Sequence, residues 1–219
     1  MKFLDVPQSG SLQSVTHSRN RFGQYTRSRS TPVNPNSSYQ GAVRARLSAN
    51  SAAWRALTDL QRSGWESLGS QMYRTDALGQ SYTLNGFQAY TSVNNNLVAA
   101  GEAAVDSAPA LITPDALITA TLTGTAATLS LAYTVTPLAA STKLFVFASP
   151  QRSAGRSFEG DFRLVHVSAA AAASPANIFS NYQTRFGVPV VGNRIFISAT
   201  VHIGGFQSGP ILTSAVITA

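Results

Sequence analysis

The ten residues RIFISATVHI at 194–203 alternate from Ile197 to their end. Ile195, Ile197, Ala199, Val201 and Ile203 fall on one side of an extended chain, with Ser198, Thr200 and His202 on the other. Successive side chains of a strand point to opposite faces, so the pattern predicts a strand with one apolar and one polar face. Six further runs carry a similar signal: 116–124, 127–136, 142–148, 162–168, 188–192 and 211–218. Gly, Pro, Ser and Asn separate them, and only PANIFSNYQ (175–183) reads as a helix among them. The expectation is an antiparallel β-sandwich of immunoglobulin or fibronectin type over residues 117–219.

Upstream the period becomes helical. From Ser38, Tyr39, Val43 and Leu47 line one side, and Asn36 or Ser37 can accept from the first-turn amides. This predicts a helix from 38 to about 49, followed by a short one over SAAWRAL from Ser51. TDLQ (58–61) fits a capping box in which Thr58 caps the new helix and Gln61 reaches back. That helix carries Leu60, Gly64, Leu68 and Met72 as a stripe beside Trp65, and Gly64 implies a close neighbour. Trp54, Leu57, Leu60, Trp65 and Leu68 are expected to form the core of a small helical domain, or an interface anchored by the tryptophans. A third helix opens at LNGF (84–87), with Phe87, Tyr90, Asn94 and Val98 or Leu97 on one side. The two prolines of AVDSAPALITPDA then mark a linker over 104–116. The chain therefore reads as α+β, with a helical domain at 36–103 joined to the sandwich.

Charge singles out the first third. Residues 1–75 hold ten Lys or Arg and three acids, whereas residues 76–219 hold six of each. Residues 1–35 read as a basic extended arm with one short strand over QSVTH (13–17). Arg19, Arg21, Arg27 and Arg29 are interleaved there with Phe22 and Tyr25, a set able to pair with acidic groups of a neighbouring protein or to contact phosphates and stack on bases. Pro32, Asn34, Pro35 and Asn36 favour fixed turns and form the joint between arm and helices. Only 11% of all residues are charged, which suits a chain packed among others.

Few chemical motifs stand beside these features. The chain has no Cys, which excludes disulfides and thiolate chemistry. No phosphate-binding glycine loop of the GxxxxGK[ST] type is present, nor a GxSxG elbow. His17, His166 and His202 are isolated, whereas a metal site needs converging ligands. Glu159 and Asp161 are a close acidic pair in an expected loop before a strand and read as ordinary loop charge. No enzyme, cofactor or metal is expected. The start MKFLDVPQSG lacks the apolar run of a signal peptide, and SAAAAASP (168–175) is far short of a membrane span.

Residues 33–68 resemble a pattern found in poorly characterised phage and bacterial proteins, in which an Asn-Pro turn, a Gln and Arg lead into W..LT..QR..W. The matching positions are Asn34, Pro35, Gln40, Arg44, Trp54, Leu57, Thr58, Gln61, Arg62 and Trp65, and the chain departs with Ser38 where the pattern has a threonine one place earlier. The resemblance implies a helical module joined to a β domain, in a virion or other extracellular assembly made in the cytoplasm. The expected function is a capsid, connector, tail or decoration protein that contacts copies of itself and other assembly proteins, without membrane insertion. Two alternatives are a nucleic-acid-associated module using the arm and a cell-surface or carbohydrate adhesion module, whose candidate aromatics are Phe158, Phe179, Tyr182, Phe186 and Phe206.

Overall fold

The computed structural model describes residues 9–76 and 78–219, so the residues consulted for a signal peptide, 1–8, lie outside the described part. The chain is a mixed α+β protein of two units, Met1–Arg44 and Ala45–Ala219.

The first unit contains β1 (Gly10–Leu12), β2 (Val15–Asn20) and β3 (Gly23–Ser28), an antiparallel meander in the order β1-β2-β3. The expected arm with one strand is thus a three-stranded sheet. Thr, Val and Tyr supply its strand propensity, and Asn20 closes the β2–β3 turn by accepting from the Phe22 amide at 2.9 Å. Gly23, at φ +116°, takes a backbone conformation that disfavours side chains.

Helix α1 (Ser38–Ala56) is continuous, replacing the two short helices expected on either side of residue 50. Nothing in LSANSAAWRA breaks a helix, and Asn50 is buried because its amide donates to Asn95 Oδ1 at 3.1 Å. Next come α2 (Asp59–Gln71), the hairpin β4 (Tyr73–Thr75) and β5 (Ser81–Thr83), and α3 (Gly86–Ala99). The capping box at Thr58 and Gln61 forms as expected, and Asn85 with Gln88 makes a second one at the start of α3. The buried residues of α3, at 86, 89, 90, 93, 94 and 97, repeat at helical spacing and seat it against α2.

The rest of the second unit is β6 (Thr119–Gly124), β7 (Leu129–Thr134), β8 (Lys143–Ala148), β9 (Arg152–Ser153), β10 (Arg163–Val167), β11 (Ala176–Asn177), α4 (Phe179–Phe186), β12 (Asn193–Ile203), β13 (Phe206–Gln207) and β14 (Ile211–Val216). Strand β12 is the spine of a six-stranded antiparallel sheet, with β8 and β9 along one side and β14 and β13 along the other, while β10 extends the sheet beyond β8. A three-stranded sheet, β11-β7-β6, supplies Leu122, Leu129, Leu131 and Tyr133 to the same core as Leu144, Val146, Ile195 and Ile197 of the larger sheet.

The expected strand at 188–192 does not form. Pro189 lacks an amide donor, and the Gln151 side chain takes the place of a strand partner: its amide nitrogen donates to Val188 O at 2.7 Å and its oxygen accepts from Val190 N at 2.8 Å. The second correction concerns β12, whose polar face is buried as deeply as its apolar one.

Candidate functional site

The basic sheet of the first unit has an unusual property: no described residue from 9 to 44 is buried. Register divides its side chains between two faces. Val15 pairs with Ser28, His17 with Thr26 and Arg19 with Gln24 on one; Thr16 pairs with Arg27 and Ser18 with Tyr25 on the other. Arg19 and Arg27 therefore point to opposite faces, as period-two geometry requires. Arg21 occupies the hairpin tip, its guanidinium carbon 4.6 Å from the centre of the Phe22 ring, and Phe22 is 68% exposed. Such stacking leaves the guanidinium edge free to meet an acidic partner. Arg29 follows β3, its backbone amide donating to Ser14 O at 2.6 Å. The arginines form a basic tip and two basic faces rather than one linear patch.

The joint follows from its Asn and Pro residues. Asn34 Oδ1 accepts from the Asn36 amide at 3.1 Å, and Asn36 takes φ +43°, a region that Asn tolerates better than most residues. Pro32 and Pro35, without amide donors, lie in the segment before α1. Of the two expected caps Ser37 makes the bond, accepting from Gln40 N at 3.3 Å.

In the second unit Trp65 is fully buried and Leu57 and Leu68 nearly so, whereas Trp54 is partly buried against the same cluster. Tyr90 stacks edge-on to Trp65 at 5.2 Å and lies 5.4 Å from Trp54. Leu60 is 85% exposed and takes no part in this core, because the buried stripe of α2 runs through Trp65, Leu68 and Gly69, one position further round. Gly64 meets only Ala108, at an ordinary 3.6 Å, while the close approach falls at Gly69, where a Cβ would lie 2.6 Å from Leu84 O. The segment at 104–116 is pinned to the helices: Trp65 Nε1 donates to Asp106 O at 2.7 Å, and Asn94 exchanges two bonds with the Val105 backbone.

The histidines occupy three unrelated settings. His17 meets Thr26 Oγ1 at 3.3 Å and His166 Nδ1 meets Asn181 Nδ2 at 2.7 Å. His202 stacks on Phe145 at 4.7 Å and accepts from Gly205 N at 3.1 Å. Burial pushes both His166 and His202 below the ordinary histidine range. No group of metal-holding side chains occurs among the described residues. Glu159 departs from the loop charge expected of it. Its buried carboxylate bonds Arg152 and accepts from the Asp161 and Gly160 amides at 3.0 and 2.9 Å, which holds its pKa at about 2.

Sequence reading missed the connection between sheet and helices. Lys143 Nζ donates to Ala100 O at 2.7 Å, at the end of α3, and pairs with Glu102 at 2.9 Å. The β12–β13 turn reaches α3 through Asn96, whose amide donates to Gly205 O at 2.7 Å, and Phe206 completes the helical core. The Gly204-Gly205 pair after a long strand was the available signal of a tight turn. Phe206 and Tyr182 are buried, and Phe179 and Phe186 pack on the β core; of the proposed adhesion aromatics Phe158, 72% exposed, stands well out in solvent. No family model matches the chain, and neither does any curated protein.

Proposed function

We propose that this chain is a structural protein of a phage-like virion or similar multi-subunit assembly, a capsid, connector, tail or decoration component that works by forming interfaces rather than by turnover. The observation that carries the reading is the three-stranded sheet of the first unit, which buries no residue of its own. A small sheet needs a covered apolar face for independent stability, and a neighbouring subunit would cover it. Leu12 and Val15 share one face, Arg19 and Arg27 offer cations on both, and β1 and β3 present two strand edges. Acidic groups on the neighbour would complete the arginines at low desolvation cost on the rim of such a contact.

The low overall charge and the resemblance of residues 33–68 to phage and bacterial sequences support the same reading, which places the protein in a virion or extracellular assembly. The helical residues Trp54, Leu57, Trp65 and Leu68 then serve as core, and exposed Leu60 is left as a contact residue. We read the β region as a variant of the immunoglobulin or fibronectin sandwich, supported by two antiparallel sheets that share one core. No helix among the described residues is long and apolar enough to cross a membrane.

The test is the solution mass of the full chain and of a chain lacking residues 1–32, at low and moderate salt with nucleic acid removed. A discrete oligomer that falls to monomer on truncation is expected. Two equally monomeric samples, with only the full chain shifting on added DNA or RNA and doing so with steep salt dependence, would replace the assembly reading with the nucleic-acid one.

A further inference from the structure

A cleft of about 620 Å³ opens in the second unit over the outer face of β8 and β12, within the span of about 300–1,000 Å³ usual for small-ligand sites. Its floor includes Ser198 and Thr200 of β12 and Phe147 of β8, and Phe162, Tyr73 and Arg74 stand on its walls. Ser198 and Thr200 are the residues whose alternation predicted a polar face, here buried beneath the opening. Thr200 keeps its Oγ1 buried without a hydrogen-bond partner, an unmade bond that ordinarily carries a cost.

The lining defines a chemistry. Aromatic surface from Tyr73, Phe147, Phe162 and Phe206 lies beside hydroxyls, which suits a ligand with both C–H faces and hydroxyl edges. A purely apolar ligand would leave the Thr200 hydroxyl as unpartnered as it is now. Among the described residues Arg74 is the one charged residue of the lining, and no carboxylate accompanies it there. Among the described residues its hydrogen bond to another side chain is long, 3.4 Å from Nη2 to Ser92 Oγ, which leaves donors for a single anionic group. A nucleotide polyphosphate would bring more negative charge than one arginine balances. We infer that this cleft binds an acidic saccharide, its ring against Phe147 and Phe162 and its carboxylate on Arg74. The inference does not depend on the assembly reading, since it uses no residue of the first unit.

The experiment is calorimetric titration of the full chain with hyaluronan tetrasaccharide, which carries glucuronate, and with neutral tetra-N-acetylchitotetraose. The acidic sugar is expected to bind at least about tenfold more tightly. Arg74→Gln should bring the two within about twofold of each other, the loss of one charge-assisted pair. Thr200→Val should weaken binding while leaving the melting temperature unchanged or raised, because its hydroxyl has no partner in the protein to lose. Absence of binding by either sugar at ~10 mM, roughly the weakest affinity of interest, would overturn the inference. So would equal affinity for the two sugars, or a preference untouched by Arg74→Gln.

Discussion

Gly205 stands where the sheet meets the helices, and replacing it with alanine tests whether that contact is as tight as its geometry implies. Its φ of +90° lies in a region that side chains rarely adopt, costing roughly 1–2 kcal/mol for a residue with a Cβ. The added carbon would fall 2.5 Å from Val93 Cγ1 and 3.1 Å from Val93 O, and overpacking of this kind costs about 1–3 kcal/mol. Gly205→Ala should therefore destabilise the second unit by about 3 kcal/mol, lowering its melting temperature by roughly 6–12 °C for a chain of this size. Val93→Ala alone removes two buried methyl groups and should cost about 2 kcal/mol. In the double variant the clash with Cγ1 is gone while the backbone strain persists, so the two costs should fall short of additivity by about 1–2 kcal/mol. Urea unfolding followed by tryptophan fluorescence reads this directly, because Trp65 lies in the cluster that Phe206 completes. A Gly205→Ala variant within about 0.5 kcal/mol of the parent, or strictly additive effects, would refute the reasoning.

Other perturbations test other parts. Glu159 has its carboxyl held at about 2, first by the Arg152 bond; a depressed acid contributes stability above its unfolded pKa and loses it as pH falls through the folded value. Melting temperature should thus decline from about pH 4.5 towards 2, and Glu159→Gln should flatten that decline while lowering stability at neutral pH; an identical profile would remove Glu159 from the account. His202 works in the same direction at higher pH: burial lowers its pKa, Glu102 opposes this and Lys143 adds to it. Stability should be full above the ordinary histidine pKa and fall as acid protonates the unfolded chain in preference, a slope that His202→Gln should reduce in pH-dependent melts while the part owed to His166 remains; an unchanged slope would remove His202 from the account. Trp65→Phe keeps most of the apolar bulk but strands the Asp106 carbonyl, and should cost about 1–3 kcal/mol by chemical unfolding; a neutral result would mean that water replaces the indole.

Legibility in the sequence followed local chemistry closely. The Thr58 capping box, the stripe of α3 and the alternation of β12 are rules of neighbours a few residues apart, and they hold. What escaped was set by distant partners. Ser198, Thr200 and His202 look like a solvent face but are buried, and the turn that follows them is held by Asn96, 109 residues from its partner Gly205, a contact that no local pattern announces. Leu60 looks apolar enough for a core, yet its place on the helix decides against it. The meander at 10–28 was hidden because polar, arginine-rich strands lack the hydrophobic alternation that marks a buried face, although Asn20 and Gly23 around a two-residue turn were a local signal. The candidate contact residues at 19–29 were therefore visible in composition, while their division between two faces was not.

The placement of Phe206 inside the helical cluster has a consequence for synthesis. Helices α1, α2 and α3 leave the ribosome well before β12 and β13, and at about 5–20 residues per second the interval is several seconds or more. During that time Trp65, Tyr90 and Val93 surround a position that no translated residue yet fills. The nascent helices must wait for a side chain from the far end of the sheet, so a core begun early in synthesis is completed late.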